Sequence, residues 1–203
     1  MTTIIGIQGH DFSLVCTDSR ISTMDEGGFA SQITTLGSNS TKVAENGKYL
    51  LGAAGDMRAI NILHHAFVPP VLPSGTTGKK LDNFITTKFV PSLRECFEKQ
   101  GYAAPTERES SSHIAEHGSQ VLVSVSGSIY IVDGDYSWTS DIHGFYSIGT
   151  GSSYALGALH VLGSSKKMTV IQARRIALKA IGVASKYDPY TGSPFHCYVQ
   201  ERL

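Results

Sequence analysis

The sequence lacks several features that mark particular classes of protein. It has no apolar run long enough to span a membrane and no basic-then-apolar segment at its start, so neither a membrane protein nor a secreted one is indicated. It also lacks an excess of charge of either sign, because 17 basic residues balance 17 acidic ones. Electrostatic binding to nucleic acid or to an anionic membrane is therefore not expected.

Cysteine is scarce, and no spacing typical of a metal site is present. Cys16, Cys96 and Cys197 form an odd set without a C-x-x-C pair, which suits buried thiols in a reducing cytosol better than a disulfide framework. His113 and His117 stand four residues apart, but the serines beside them favour a loop over a helix. We expect a cytoplasmic protein with no metal and no other cofactor.

The length of the chain, 203 residues, favours a single domain over residues 1–203. A chain of this size can bury roughly 70% of its unfolded surface, so its core needs no disulfide or metal for stability. With balanced charge and an adequate core, function is expected to reside in a pocket.

The start of the sequence is its most informative segment. Met1 is followed by Thr2 and Thr3 and then by the strand-like residues 4–7. A threonine exposed by removal of methionine carries a hydroxyl and a free amine, and an α-amino group titrates near pH 7.7–8.0, at about the right point to accept the hydroxyl proton. The alternative is that these residues merely open an edge strand.

Periodicity and turn signals predict alternating strands and helices. Apolar, β-branched runs joined by short turns predict strands over 3–8, 12–17, 42–44, 49–53, 120–125, 129–132, 145–148 and 195–200. Apolar positions at intervals of three and four predict helices over 56–67, 79–99, 152–162 and 169–186, with Pro91 kinking or dividing the second. Residues 22–40 are polar and rich in Gly and Ser, and 102–117 are interpreted as a surface loop.

This order of elements predicts an α+β fold. Two batches of apolar helices flank antiparallel hairpins whose strands are apolar on both faces, and such sheets need cover on both sides. We therefore expect a four-layer αββα sandwich, with two packed antiparallel sheets inside and helices outside.

Seven short motifs, in the same order and at similar spacings, resemble those of proteasome β-type subunits. The family includes the bacterial HslV-type protease and belongs to the N-terminal-nucleophile hydrolases. The motifs are TTIIG at 2–6, TDSR at 17–20, ASQ at 30–32, TKV at 41–43, AAG at 53–55, IGTG at 148–151 and DPYTG at 188–192. Each is weak alone, but together they cover nearly the whole chain.

The resemblance implies a set of catalytic residues. Thr2 is the implied nucleophile, with its own amine as proton acceptor and Lys42 as a cation that favours nearby negative charge. Asp18 would orient Lys42, and the backbone N–H of Gly55 would stabilise an oxyanion. A further set would hold the amino terminus and a water: Thr150, Asp188 and Thr191. The family usually has serine in place of the two threonines of this last set.

Position matching also implies the substrate-binding residues, Arg20, Ile21, Ala53 and Met57. The last three would line the pocket for the residue that precedes the cut bond, and their apolar character predicts a small or hydrophobic residue there.

Two features depart from the family pattern. Residues 34–39 lengthen the segment before Lys42, which must bulge or extend if that lysine is to reach the site. Only Met1 precedes Thr2, so maturation is expected to need an aminopeptidase and no self-cleavage of a leader.

Three functions remain open at this stage. The first is a threonine endopeptidase in a homo-oligomeric ring that cleaves unfolded polypeptides, together with α-type subunits or an ATP-dependent unfoldase. The second is a non-catalytic subunit of such a ring. The third is a stand-alone N-terminal-nucleophile amidase.

Overall fold

A computed structural model describes residues 2–24, 30–102, 117–163 and 167–202. The strands are β1 Thr3–Gln8, β2 Phe12–Thr17, β3 Arg20–Met24, β4 Ala30–Thr35, β5 Val43–Asn46, β6 Tyr49–Ala54, β7 Gln120–Val125, β8 Ser128–Val132, β9 Trp138–Thr139, β10 Phe145–Gly149 and β11 His196–Glu201. The helices are α1 Met57–His65, α2 Lys79–Phe84, α3 Val90–Lys99, α4 Ser152–Leu162 and α5 Val170–Tyr187.

Two antiparallel sheets form the centre of the molecule. One sheet has the strand order β10-β1-β2-β11 and the other β5-β6-β7-β8-β9. Ile4 and Val15 pack between the sheets, whereas Ile5, Ile7 and Cys16 face α4 and α5 on the other side of the first sheet. The second sheet packs its outer face on α1, α2 and α3. The predicted four-layer αββα sandwich is confirmed.

Most predicted elements form within one or two residues of their expected ends, but the polar segment 22–40 differs. β3, which begins just before this segment, and β4, which lies within it, pair as antiparallel strands and make a separate two-stranded sheet. Serine, threonine and glutamine dominate these strands, so their sequence lacks the apolar run that identified the others. A short 3₁₀ turn, Ser38–Ser40, then leads to β5.

The helix predicted over 79–99 forms with an irregular middle. A π-helical turn at Ile85–Phe89 joins α2 to α3 and ends two residues before Pro91. Proline has no N–H to donate and its ring crowds the carbonyl four residues earlier, so a wider turn relieves the clash. Within the described residues, no helix has both the length and the apolar character needed to cross a membrane.

Candidate active site

Thr2 lies immediately before β1, a central strand of the first sheet, and is almost fully buried. Its carbonyl oxygen accepts a hydrogen bond of 3.5 Å from the Thr150 hydroxyl. Gly149, at the end of β10, has a φ of +93°, and a Cβ at this position would overlap the Thr2 carbonyl oxygen. Glycine therefore allows β10 to approach the start of β1 closely.

Asp18 follows β2 and organises the backbone around Thr2. Its Oδ1 accepts the Thr3 N–H at 3.0 Å, and its Oδ2 accepts the N–H groups of Arg20 and Gly192, both at 3.0 Å. Asp18 has no exposed surface. Three backbone donors therefore fix its carboxylate and connect β1, β3 and the segment before β11.

Lys42 completes this arrangement as a fully buried cation. Its Nζ donates to Asp18 Oδ1 at 2.6 Å and to the Arg20 carbonyl oxygen at 2.6 Å. Burial lowers the pKa of Lys42 from its ordinary value, and the charge of Asp18 opposes that fall. The longer segment before Lys42 thus still delivers the lysine to Asp18.

A second cluster involves the Thr3 side chain and centres on Asp188, the residue that directly follows α5. Its Oδ2 accepts hydrogen bonds from the hydroxyls of Thr150 at 2.7 Å and Thr191 at 2.6 Å. The Thr191 and Thr3 hydroxyls are also 2.6 Å apart. Gly151 permits this packing, because a Cβ at this position would collide with the Thr3 hydroxyl.

A cavity of about 490 Å³ opens at Thr2. Its lining includes Gly55, whose φ of +131° favours glycine, and a Cβ at this position would lie 2.5 Å from the Gly118 carbonyl oxygen. The full lining is Thr2, Ala54, Gly55, His117, Gly118, Ser119, Gln120, Gly134, Gly149 and Thr150. Glycines make up much of the wall, so backbone groups can approach a ligand closely.

His117 belongs to this wall and was not predicted as a functional residue. It is buried, and its ring contacts those of Phe97, Tyr102 and Tyr136 at centroid distances of 5.0, 6.1 and 4.8 Å. The Ser119 N–H points at Nδ1 at 3.4 Å, which leaves the proton of the neutral ring on Nε2. No described group pairs with Nε2.

Burial lowers the pKa of His117, with Asp133 and Asp135 opposing the shift. Of the surface loop predicted over 102–117, residues 103–116 lie outside the described residues, and its last residue, His117, is buried. Local sequence gave no signal of this, because the aromatic rings that enclose His117 come from distant elements. His113 lies outside the described residues, and within those described no group of three or more metal-binding side chains is arranged around a common point.

The predicted substrate-binding residues lie outside the lining of this cavity. Arg20 donates to the Pro189 carbonyl oxygen at 2.8 Å and packs against Gly192. Ile21 is half-buried on β3. The remaining two pack into the core between the second sheet and its helices: Ala53 fully and Met57 partly. Their role in substrate binding stays a prediction.

The site thus combines a hydroxyl-bearing residue, a buried cation paired with a carboxylate, and a glycine-lined cavity. A buried ammonium favours the formation of negative charge close to it. The hydroxyl cluster around Asp188 supplies donors and acceptors at the start of β1. This arrangement suits the attack of a hydroxyl on a polarised carbonyl group.

Solved structures of other proteins resemble this fold over nearly the whole chain. No protein-family model matches the sequence, and no curated protein matches it significantly. Among solved structures, Thiobacillus denitrificans BPH is 18% identical with a TM-score of 0.71, over 99% of this chain and 98% of that one. BPH in complex with epoxomicin is also 18% identical, with a TM-score of 0.69, over 99% of each chain.

Eukaryotic HslV from Trypanosoma brucei is also 18% identical, with a TM-score of 0.60 over 98% of this chain and 99% of that one. The three similarities span nearly the full length of both partners. The chain therefore has the αββα fold of the proteasome β-type and HslV-like proteins.

Proposed function

We propose that this chain is a threonine endopeptidase whose nucleophile is Thr2, exposed by cleavage of the Met1–Thr2 bond. One observation carries the proposal: a single Asp18 oxygen accepts both the Lys42 ammonium and the N–H of Thr3, the residue next to Thr2. The same carboxylate oxygen thus links a buried cation to the residue that follows the proposed nucleophile. The similarity to HslV and to an epoxomicin-bound BPH supports the same assignment.

In the proposed reaction the free amine of Thr2 takes the proton of the Thr2 hydroxyl, directly or through a water. The oxygen then attacks the carbonyl carbon of the substrate, and the Gly55 N–H stabilises the resulting oxyanion. The C–N bond breaks as the amine passes the proton to the leaving nitrogen. Water hydrolyses the ester on Thr2 and restores the hydroxyl.

The remaining residues position these groups. Lys42 favours the deprotonated hydroxyl, and Asp18 holds Lys42 in place. The Asp188 cluster contributes Thr150, which already contacts the Thr2 carbonyl oxygen, and Thr191. In this proposal the cluster orients the new amino terminus and the hydrolytic water.

We further propose that the single domain 1–203 assembles into a homo-oligomeric ring that cleaves unfolded polypeptides. Unfolded chains need to be delivered to such a chamber, by α-type subunits or by an ATP-dependent unfoldase. Ile21, Ala53 and Met57 would favour a small or hydrophobic residue before the cut bond. A peptide panel tests this, and a preference for acidic or basic residues contradicts it.

Two other functions share parts of this arrangement. A non-catalytic ring subunit would not need the buried Lys42–Asp18 pair next to Thr2. A stand-alone amidase would use the same chemistry on small amides. Native mass spectrometry distinguishes a stand-alone amidase from a ring subunit, because a ring has a mass many times 21.8 kDa.

The decisive variants replace Thr2 itself. In trimmed, assembled protein, Thr2→Ala removes the nucleophile, and we expect peptide hydrolysis to fall by more than about 10³-fold. Thr2→Ser keeps a hydroxyl and an amine, so it should retain measurable activity that epoxomicin inhibits. Thr87→Ala, which removes an exposed hydroxyl on a distant helix, is the matched control. Undiminished hydrolysis by Thr2→Ala would overturn the proposal.

A further inference from the structure

Cys16 and Cys197 lie opposite each other on neighbouring strands. In the antiparallel pairing of β2 with β11, Cys197 is the direct partner of Cys16. Directly opposed residues of an antiparallel pair point to the same face of the sheet. Here that face packs on α5, where Cys16 belongs to a buried cluster and the partly buried Cys197 packs against it.

The backbone hydrogen bonds define which kind of pair this is. Arg202 N–H donates to the Asp11 carbonyl oxygen at 2.8 Å, so these residues form a hydrogen-bonded pair at the end of the ladder. Hydrogen-bonded and non-hydrogen-bonded pairs alternate along antiparallel strands. Cys197 lies an odd number of positions from Arg202 and therefore forms a non-hydrogen-bonded pair with Cys16.

The other edge of β2 gives the same result. Asp18 N–H donates to the Thr3 carbonyl oxygen at 3.2 Å, which marks a hydrogen-bonded pair between β1 and β2. Cys16 lies two positions before Asp18 in the chain, so its pair with Ile5 of β1 is also hydrogen-bonded. The peptide groups of Cys16 thus point towards β1 and away from β11.

Non-hydrogen-bonded pairs bring side chains closest. Their Cα atoms are typically about 4.5 Å apart, and disulfides span Cα separations of roughly 4.4–6.8 Å. The two thiols can therefore join without movement of either strand. Cys96, on α3 in the opposite helical layer, belongs to another cluster.

The two thiols differ in environment. Cys16 is fully buried, whereas Cys197 is partly exposed. A hydrogen bond from the Cys16 thiol and the positive charge of Arg174 lower the pKa of Cys197, against the effect of its partial burial. The neighbouring Cys197 sulfur and burial raise the pKa of Cys16. Arg174 also donates to the Cys197 carbonyl oxygen at 3.3 Å. Cys197 is thus the more reactive thiol and Cys16 the resolving one.

We propose that Cys16 and Cys197 are a redox-sensitive pair that forms a reversible disulfide between β2 and β11. With hydrogen peroxide as oxidant, the Cys197 thiolate attacks one peroxide oxygen, giving a sulfenic acid and, after protonation, water. The Cys16 thiol then attacks that sulfur, an S–S bond forms, and a second water leaves. Two molecules of a small thiol restore both cysteines by successive exchange and leave as their own disulfide.

The cross-link connects the two halves of the site. Asp18 follows β2 by one residue, and the segment with Asp188 and Thr191 leads into β11. Closing a long loop restricts the unfolded chain, so we expect oxidation to raise the thermal midpoint by about 5 °C or more. The proposal does not depend on Thr2 chemistry, and none of its readouts requires peptidase activity.

Peptide mapping of the peroxide-treated full chain under non-reducing conditions tests the pair. We expect a Cys16–Cys197 linked peptide that disappears with dithiothreitol, both in the parent and in Cys96→Ser. Cys16→Ser should lose the link and accumulate oxidised Cys197. Cys197→Ser tests whether Cys197 is the cysteine that reacts first. In this variant, Cys16 should react with peroxide at least about tenfold more slowly than Cys197 does in the parent.

Two results would overturn the proposal. One is conversion of Cys197 to a sulfinic acid while Cys16 in the parent can still be alkylated after unfolding. The other is a cross-link that requires Cys96, which Cys96→Ser would abolish.

Discussion

The fold gives different surroundings to two buried basic side chains of the site. These side chains are Lys42 and His117. Burial lowers the pKa of both. Lys42 has a carboxylate in contact, 2.6 Å away, whereas His117 has aromatic rings around it and no described partner at Nε2. Asp18 thus supports the charged form of Lys42, while the aromatic surroundings favour a neutral His117.

This difference in surroundings divides the site into a charged side and a neutral side. The Lys42 side carries fixed charges, which catalysis on a peptide carbonyl can use, and the His117 side is a neutral wall of the cavity. Changes on the Lys42 side should therefore strongly affect both the free energy of unfolding and the rate of peptide hydrolysis. Changes on the His117 side should affect mainly the response to pH.

Replacement of Lys42 should have the largest effect. Lys42→Ala leaves the Asp18 charge buried without its cation, so the free energy of unfolding should fall by about 3–5 kcal/mol. Peptide hydrolysis should fall at least roughly 10²-fold. Denaturant unfolding and a fluorogenic peptide assay measure the two effects. Lys48→Ala, at an exposed lysine, is the control, and an equal effect of both variants would contradict the account.

Removal of the Asp18 charge should favour the neutral form of Lys42, as burial does for His117. Asp18→Asn keeps the size of the side chain but removes the charge that opposes the fall of the Lys42 pKa. The ammonium should then lose its proton at lower pH, and the alkaline limb of the pH–rate profile should move to lower pH. A limb that stays in place or moves upward would show that Asp18 does not sustain the charge.

The sequence alone predicted much of the Lys42 side. The resemblance supplied Thr2, Asp18 and Lys42, and the structure brings Lys42 to Asp18 despite the longer segment before it. Strong apolar periodicity also gave the central strands and most helix limits, because each of these segments shows its burial locally.

The His117 side could not be predicted in this way. His117 follows a polar stretch, and Phe97 and Tyr136 reach it only through tertiary packing. The β3–β4 hairpin was missed for a similar reason, since its strands are polar. The pairing of Cys16 with Cys197 depends on strand order and register between distant parts of the chain, which no local pattern encodes.

His117→Phe should have a smaller effect on the free energy of unfolding, and that effect should depend on pH. Because its pKa is lowered in the folded state, neutral His117 stabilises the fold above its unfolded pKa, near 6.5, and this stability is lost as the pH falls. Below pH 6.5 the parent should therefore lose stability faster than His117→Phe. Chemical unfolding between pH 7.5 and 5 measures this, and parallel curves would contradict it.

The smallest effects are expected where threonine replaces the usual serine. Thr150→Ser and Thr191→Ser retain the hydroxyls that bond Asp188, so each should change the free energy of unfolding by less than about 1 kcal/mol. Thr191→Val keeps the shape but removes the donor and should cost more. Equal costs for the serine and valine variants at Thr191 would show that the hydrogen bond does not matter.

The central claim is that Thr2 acts only as the first residue of the chain. Samples in which a methionine aminopeptidase has trimmed different fractions of the protein test this most directly, with intact mass and peptide hydrolysis measured on each. The account predicts a rate that rises in proportion to the fraction of chains that begin at Thr2. Equal rates from protein that retains Met1 would contradict it.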